Sequence, residues 1–66
     1  MTTYKPFNEF DIVTLIETTE VVPALFIEVG TMGVVMDKTV PDYYLVKFEK
    51  YGAYWVDGKH LLRYNK

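Results

Sequence analysis

The chain has no cysteine, no serine and a single histidine, His60. Without cysteine there is no disulfide and no thiolate metal site to staple a small fold. One histidine excludes the Cys/His zinc sets and leaves only carboxylate-rich ion sites open. Nucleophilic catalysis needs a nucleophile, a base and an orienting third group. The only hydroxyl candidates besides tyrosine are threonines, and none has His60 beside it in sequence. No apolar run approaches the roughly 18 residues of a membrane-spanning helix. Val21 to Val29 is the most apolar stretch, and Pro23 and Glu28 interrupt it before Gly30 ends it. The opening residues lack the apolar core of a secretory signal, so a cytoplasmic protein without a membrane partner is expected.

At 66 residues the chain has room for one small domain. Such a chain buries only about 60% of the surface its unfolded form exposes, so its stability rests on tight packing or on a partner. Half of the residues are hydrophobic and 17% are aromatic, which favours a packed core over disorder. Seven basic residues against nine acidic ones give a net charge of −2. That balance supplies no strong field for phosphate.

Short β-rich runs separated by turn residues organise the chain. Residues 1–10, with Pro6 and Asn8, read as an irregular arm, and 11–66 as one domain. Residues 11–17 are rich in β-branched side chains and read as the first strand. Thr18 to Val29 reads as a long excursion whose Val22, Leu25 and Phe26 fold back on the body. Gly30 and Gly33 precede a second strand at Val34–Met36 and bend its start. In residues 43–49, Tyr44, Val46 and Phe48 alternate with Tyr43, Leu45 and Lys47, the pattern of a half-buried strand. The residues Lys50-Tyr51-Gly52 form a turn, and 53–56 the next strand. Asp57-Gly58 marks another turn, a single helical turn is expected at Lys59-His60, and 61–64 close the domain. This is an all-β pattern with no sustained helical period, and it predicts a small five-stranded closed barrel with one long loop. The expected core is Val13, Leu15, Val35, Val46, Phe48, Val56 and Leu62, with Phe26 plugging the long loop.

The run Gly30-Thr31-Met32-Gly33-Val34-Val35, followed by Tyr44-Leu45-Val46-Lys47-Phe48, resembles SH3-like small barrels. The likeness is to a group of short, uncharacterised bacterial SH3-like barrel proteins. They share a V-x-L strand, a loop, G-x-x-G-x-V, a Y-x-V-x-F strand and a terminal leucine. The matching positions are Val13 and Leu15, then Gly30, Gly33 and Val35, then Tyr44, Val46 and Phe48, with Leu62 near the end. A weaker likeness runs to SH3-like accessory subunits of photosynthetic electron transfer, over residues 29–37 and 44–50. That likeness implies basic residues for an acidic ferredoxin, whereas this chain is acidic. These motifs are mostly structural, so the resemblance implies a fold more than an activity.

The functional expectation is a non-catalytic protein-binding module or accessory subunit, with no cofactor, no metal and no catalytic residue. Tyr43, Tyr51, Tyr54 and Trp55 are the expected interface, because tyrosine and tryptophan combine large contact area with a polar handle. Glu17 and Glu20 add an acidic contribution from the long loop. A nucleic-acid face is the alternative, since small barrels stack bases on aromatics. It would use Lys47, Lys50, Lys59 and Arg63, which lie in the one stretch with a basic excess. A self-associating structural or phage-type accessory protein is the third reading, in which a copy of the chain covers an exposed edge or patch.

Overall fold

A computed structural model describes residues 7–64, and within them the chain is all-β. Seven strands follow one another: β1 (Ile12–Leu15), β2 (Thr19–Val22), β3 (Leu25–Ile27), β4 (Met32–Asp37), β5 (Tyr43–Phe48), β6 (Gly52–Asp57) and β7 (Leu61–Arg63). One 3-10 turn, Gly58–His60, separates the last two. Five strands form an antiparallel sheet in the order β6-β5-β4-β1-β7, and β2 and β3 form a separate two-stranded hairpin. The expected five strands are therefore present, but the long loop is not a loop. Residues 18–29 fold as the hairpin, with its tip at Pro23-Ala24. Proline presets the first central turn residue, and Ala24 follows with φ +68°, the combination a type II turn requires. The Glu20 carboxylate accepts a hydrogen bond from the Ala24 amide at 2.9 Å, and the Thr18 hydroxyl accepts one from the Val29 amide at 3.2 Å. The run from Val21 to Ile27 around Pro23 is apolar throughout and shows no alternation, and its strands are only three and four residues long, so the sequence marks no hairpin there.

The expected closed barrel also needs correction. Among the described residues no ladder joins β6 to β7, so the sheet keeps two edges. The edge strand β7 is only three residues long and offers few positions for a further ladder. The hairpin instead reaches across, bringing β2 against β6.

The core lies on the inward face of the five-stranded sheet. Tyr44, Val46 and Phe48 are buried, as their alternation predicts, together with Val13, Leu15, Val35 and Val56. Two expected core residues are displaced by one position. Leu62 is 58% exposed, and Leu61 is buried in its place. The 3-10 turn uses up Gly58–His60, and the register sets Leu61 opposite buried Leu15. Phe26 is 54% exposed and Ile27 is buried instead. Its partner in the hairpin is Glu20, on the solvent side, while Ile27 pairs with Thr19. Because side chains alternate along a strand, a shift of one residue exchanges the faces.

Of the expected arm, residues 7–10 are described; they hold no strand, and Phe7 belongs to the core. Phe7 is buried and meets Tyr44 edge-on, ring centroids 5.2 Å apart at 74°. The Arg63 guanidinium lies 5.9 Å from the Phe7 ring and pairs with Asp11 at 3.1 Å. This contact combines cation–π attraction with an ion pair at the end of β7. Residues 1–6, including Tyr4, and residues 65–66 lie outside the described residues.

Candidate functional site

The four expected interface aromatics do not form one patch. Ladder partners share a face, and Tyr43 pairs with Asp57 while Leu45 pairs with Trp55. These positions alternate with buried Tyr44, Val46 and Val56, so Tyr43 and Trp55 face outward. They are 42% and 40% exposed. Tyr54 is set opposite buried Val46, and both it and Tyr51 pack partly buried against the core. Spacing in sequence groups all four residues, whereas the pleat divides Tyr54 from Trp55.

Tyr43 and Trp55 take part in a cleft of about 380 Å³ between the hairpin and the 3-10 turn. Thr19, Glu20 and Val21 of β2 form one wall, and Asp57, Lys59 and His60 form the other. The volume lies in the range of small ligand sites, about 300–1,000 Å³. Local hydrogen bonds hold both walls. The Asp57 carboxylate accepts from the Lys59 amide at 3.0 Å and so caps the 3-10 turn. The Gly58 amide donates to the Asp42 carbonyl at 2.8 Å. A side chain at Gly58 would sit 2.8 Å from the Tyr44 ring, so only glycine lets the turn approach the core this closely. The Ile16 amide donates to the His60 carbonyl at 2.9 Å, and His60 Nδ1 lies 2.6 Å from the Glu17 carboxylate. Glu17 thus fastens the 3-10 turn to the root of the hairpin, while Glu20 fastens the hairpin tip.

The two acids expected at an interface therefore act first as internal struts, and only Glu20 also lines the cleft. Thr19, Val21, Asp57 and His60 were not singled out from sequence as binding residues. Thr-Glu-Val-Val shows no alternation of residue type, so the half-buried pattern of β2 appears only in the fold. Asp57→Ala is expected to remove the cap, at a cost of about 0.5–2 kcal/mol. Urea unfolding measures the cost, and exchange of the Lys59 amide should accelerate with it.

The four basic residues are scattered. Lys47 stands on the outer face of β5, opposite Ala53. Lys50 lies in the turn before β6 and Lys59 in the turn after it. A six-residue strand separates these two by about 17 Å. Arg63 is at the far edge of the sheet, across from buried Val13 and engaged with Asp11 and Phe7. Only Lys59 reaches the cleft.

Among the described residues no three of histidine, aspartate and glutamate are grouped so as to hold a metal ion, and no helix is long and apolar enough to cross a membrane. No family model matches the chain, and comparisons with curated proteins and with solved structures give no match.

Proposed function

We infer that the chain is a non-catalytic, SH3-like protein-binding module that acts in the cytoplasm and takes a short extended peptide segment of a partner protein. The observation carrying this reading is the cleft itself, where outward-facing Tyr43 and Trp55 meet a polar rim between two braced walls. Exposed aromatic anchors surrounded by polar groups are the usual composition of a binding hot spot. The order β6-β5-β4-β1-β7, with a hairpin inserted between β1 and β4, supports the SH3-like reading. A mixed rim of Glu20, Asp57, Lys59 and His60 favours a partner segment that is itself both apolar and polar. The dispersion of Lys47, Lys50 and Arg63 weighs against a continuous phosphate track.

The test compares the tagged chain with its Trp55→Ala and Tyr43→Ala variants in pull-downs from source lysate, with and without nuclease. A nuclease-resistant protein should be recovered with the unaltered chain. Loss of a central aromatic of about 2 kcal/mol corresponds to roughly 30-fold weaker binding to that protein. Recovery that vanishes with nuclease, or that both variants retain in full, would overturn the reading.

A further inference from the structure

The outward face of the five-stranded sheet is unusually apolar for a surface that water touches. Ladder register sets Leu62 beside Thr14 and Met32 in one row, Ile12 beside Val34 and Lys47 in the next, and Leu45 between Asp37 and Trp55 in a third. Met36, at the β4 bulge opposite Leu45, extends the patch, and Trp55 closes it at β6. An antiparallel sheet with one solvated face normally alternates apolar-in with polar-out. Here apolar side chains stand at outward positions Ile12, Met32, Val34, Leu45 and Leu62, with Thr14 and Lys47 among them. Ile12, Met32 and Val34 surround a shallow hollow of about 120 Å³, and Lys47 and Glu49 stand beside it.

We propose that this face is the interface of a two-fold symmetric homodimer. The area agrees with that assignment. Taking the aromatic range of about 150–250 Å² as an upper bound for each side chain, the exposed fractions of Leu62, Ile12, Met36 and Trp55, with the half-buried neighbours, give at most on the order of 500 Å² of apolar surface. That lies toward the upper end of the largest patch on a monomer, about 300–600 Å². Including Thr14, Lys47 and Glu49, the face approaches the roughly 800 Å² per partner of a standard interface.

Charge selects a second copy as the occupant. An isologous contact requires a patch that complements itself. Lys47 and Glu49 are two residues apart along the chain and flank the same hollow, one basic and one acidic. An axis passing between them sets each lysine against the other copy's glutamate. The net charge of −2 is small enough to leave that pairing unopposed. The face shares only Trp55 with the cleft, so dimer and peptide compete for that one side chain, and the test rests on Leu62, Lys47 and Glu49, which lie outside the cleft.

Sedimentation equilibrium of the full chain, from a few micromolar to about a millimolar, tests it. The expected result is a mass that rises toward twice 7.7 kDa with concentration. Leu62→Glu, at an exposed position outside the cleft, should remain folded by circular dichroism and dissociate about 30-fold more readily. A chain that stays monomeric throughout, or a dimer that folded Leu62→Glu leaves unchanged, overturns the proposal. Should Leu62→Glu fail to fold, the charge pair decides. Lys47→Glu should weaken the dimer, and adding Glu49→Lys should restore it. Equal association of these two variants and the unaltered chain overturns the proposal. Intact peptide capture by a monomeric chain would leave the functional reading standing alone.

Discussion

Gly33→Ala is expected to destabilise the domain by about 1–3 kcal/mol, the cost of forcing an extra carbon into a filled core. Gly33 lies within β4, where its φ demands nothing special, so the reason is space. A Cβ there would stand 2.5 Å from Val46 Cγ1, 3.0 Å from the Lys47 carbonyl oxygen and 3.1 Å from Phe48 Cδ1. Val46 and Phe48 are both buried and cannot swing into solvent. The carbonyl belongs to the ladder strand beside it, since Gly33 pairs with Phe48. Urea titration should show a lower midpoint with the slope unchanged, the sign of altered stability without altered compactness. The clash also predicts a coupling. Val46→Ala removes the nearest obstructing carbon, so Gly33→Ala should cost less in that background, with a non-additivity of at least about 0.5 kcal/mol. Strict additivity of the two substitutions would show that the close approach is not what glycine serves here.

Tyr44→Ala carries the largest expected loss, about 3–5 kcal/mol for truncating a buried aromatic. Tyr44 is among the largest fully buried side chains, touches Phe7 edge-on and lies against Gly58 of the 3-10 turn. A core of this size rarely supplies more than about 3–5 kcal/mol in total, so the variant should be largely unfolded at 25 °C. A milder pair separates the ring contact from general core loss. Phe7→Leu and Tyr44→Leu, combined in a double-mutant cycle, should show a coupling of about 0.5–1.5 kcal/mol. Zero coupling would mean that the arm packs on the core without depending on Tyr44.

The parts of this fold legible in the sequence are those where one periodicity acts alone. Residues 43–49 alternate cleanly, and Tyr44, Val46 and Phe48 are buried as read. The turn at Lys50-Tyr51-Gly52, the bend at Gly30 with φ +88° and the single helical turn before the last strand were each marked by local chemistry. Errors arose where neighbouring apolar residues offered two registers. Phe26 and Ile27, like Leu61 and Leu62, are adjacent and both hydrophobic. Nothing local distinguishes the inward member; the ladder partner does. Phe7 was missed because an irregular segment has no period to read, and its burial depends on Tyr44 and Arg63 at distant positions. The candidate site fared the same way. Tyr43 and Trp55, singled out by residue type, line the cleft. Tyr51 and Tyr54 were grouped with them because composition ignores the pleat. The Glu17 and Glu20 carboxylates serve His60 and the Ala24 amide, partners that no local sequence signal marks.

The position of β1 in the sheet also bears on the order in which the fold can assemble. β4, β5 and β6 are joined by short turns and need only local closure. β1 must instead accept β4 across the whole hairpin and then β7, with Val13 meeting Arg63 some 50 positions later. Closing so long a span carries an entropy cost that grows with its length, and non-local pairing of this kind places β folds in the millisecond-to-second range. The β4–β6 meander is therefore the expected nucleus, with β1 and β7 expected to arrive last. In that order the Val46–Phe48 face forms before Val13, Leu15 and Leu61 seal it, and folding φ values higher at Val13 and Leu61 than at Val46 and Phe48 would overturn it.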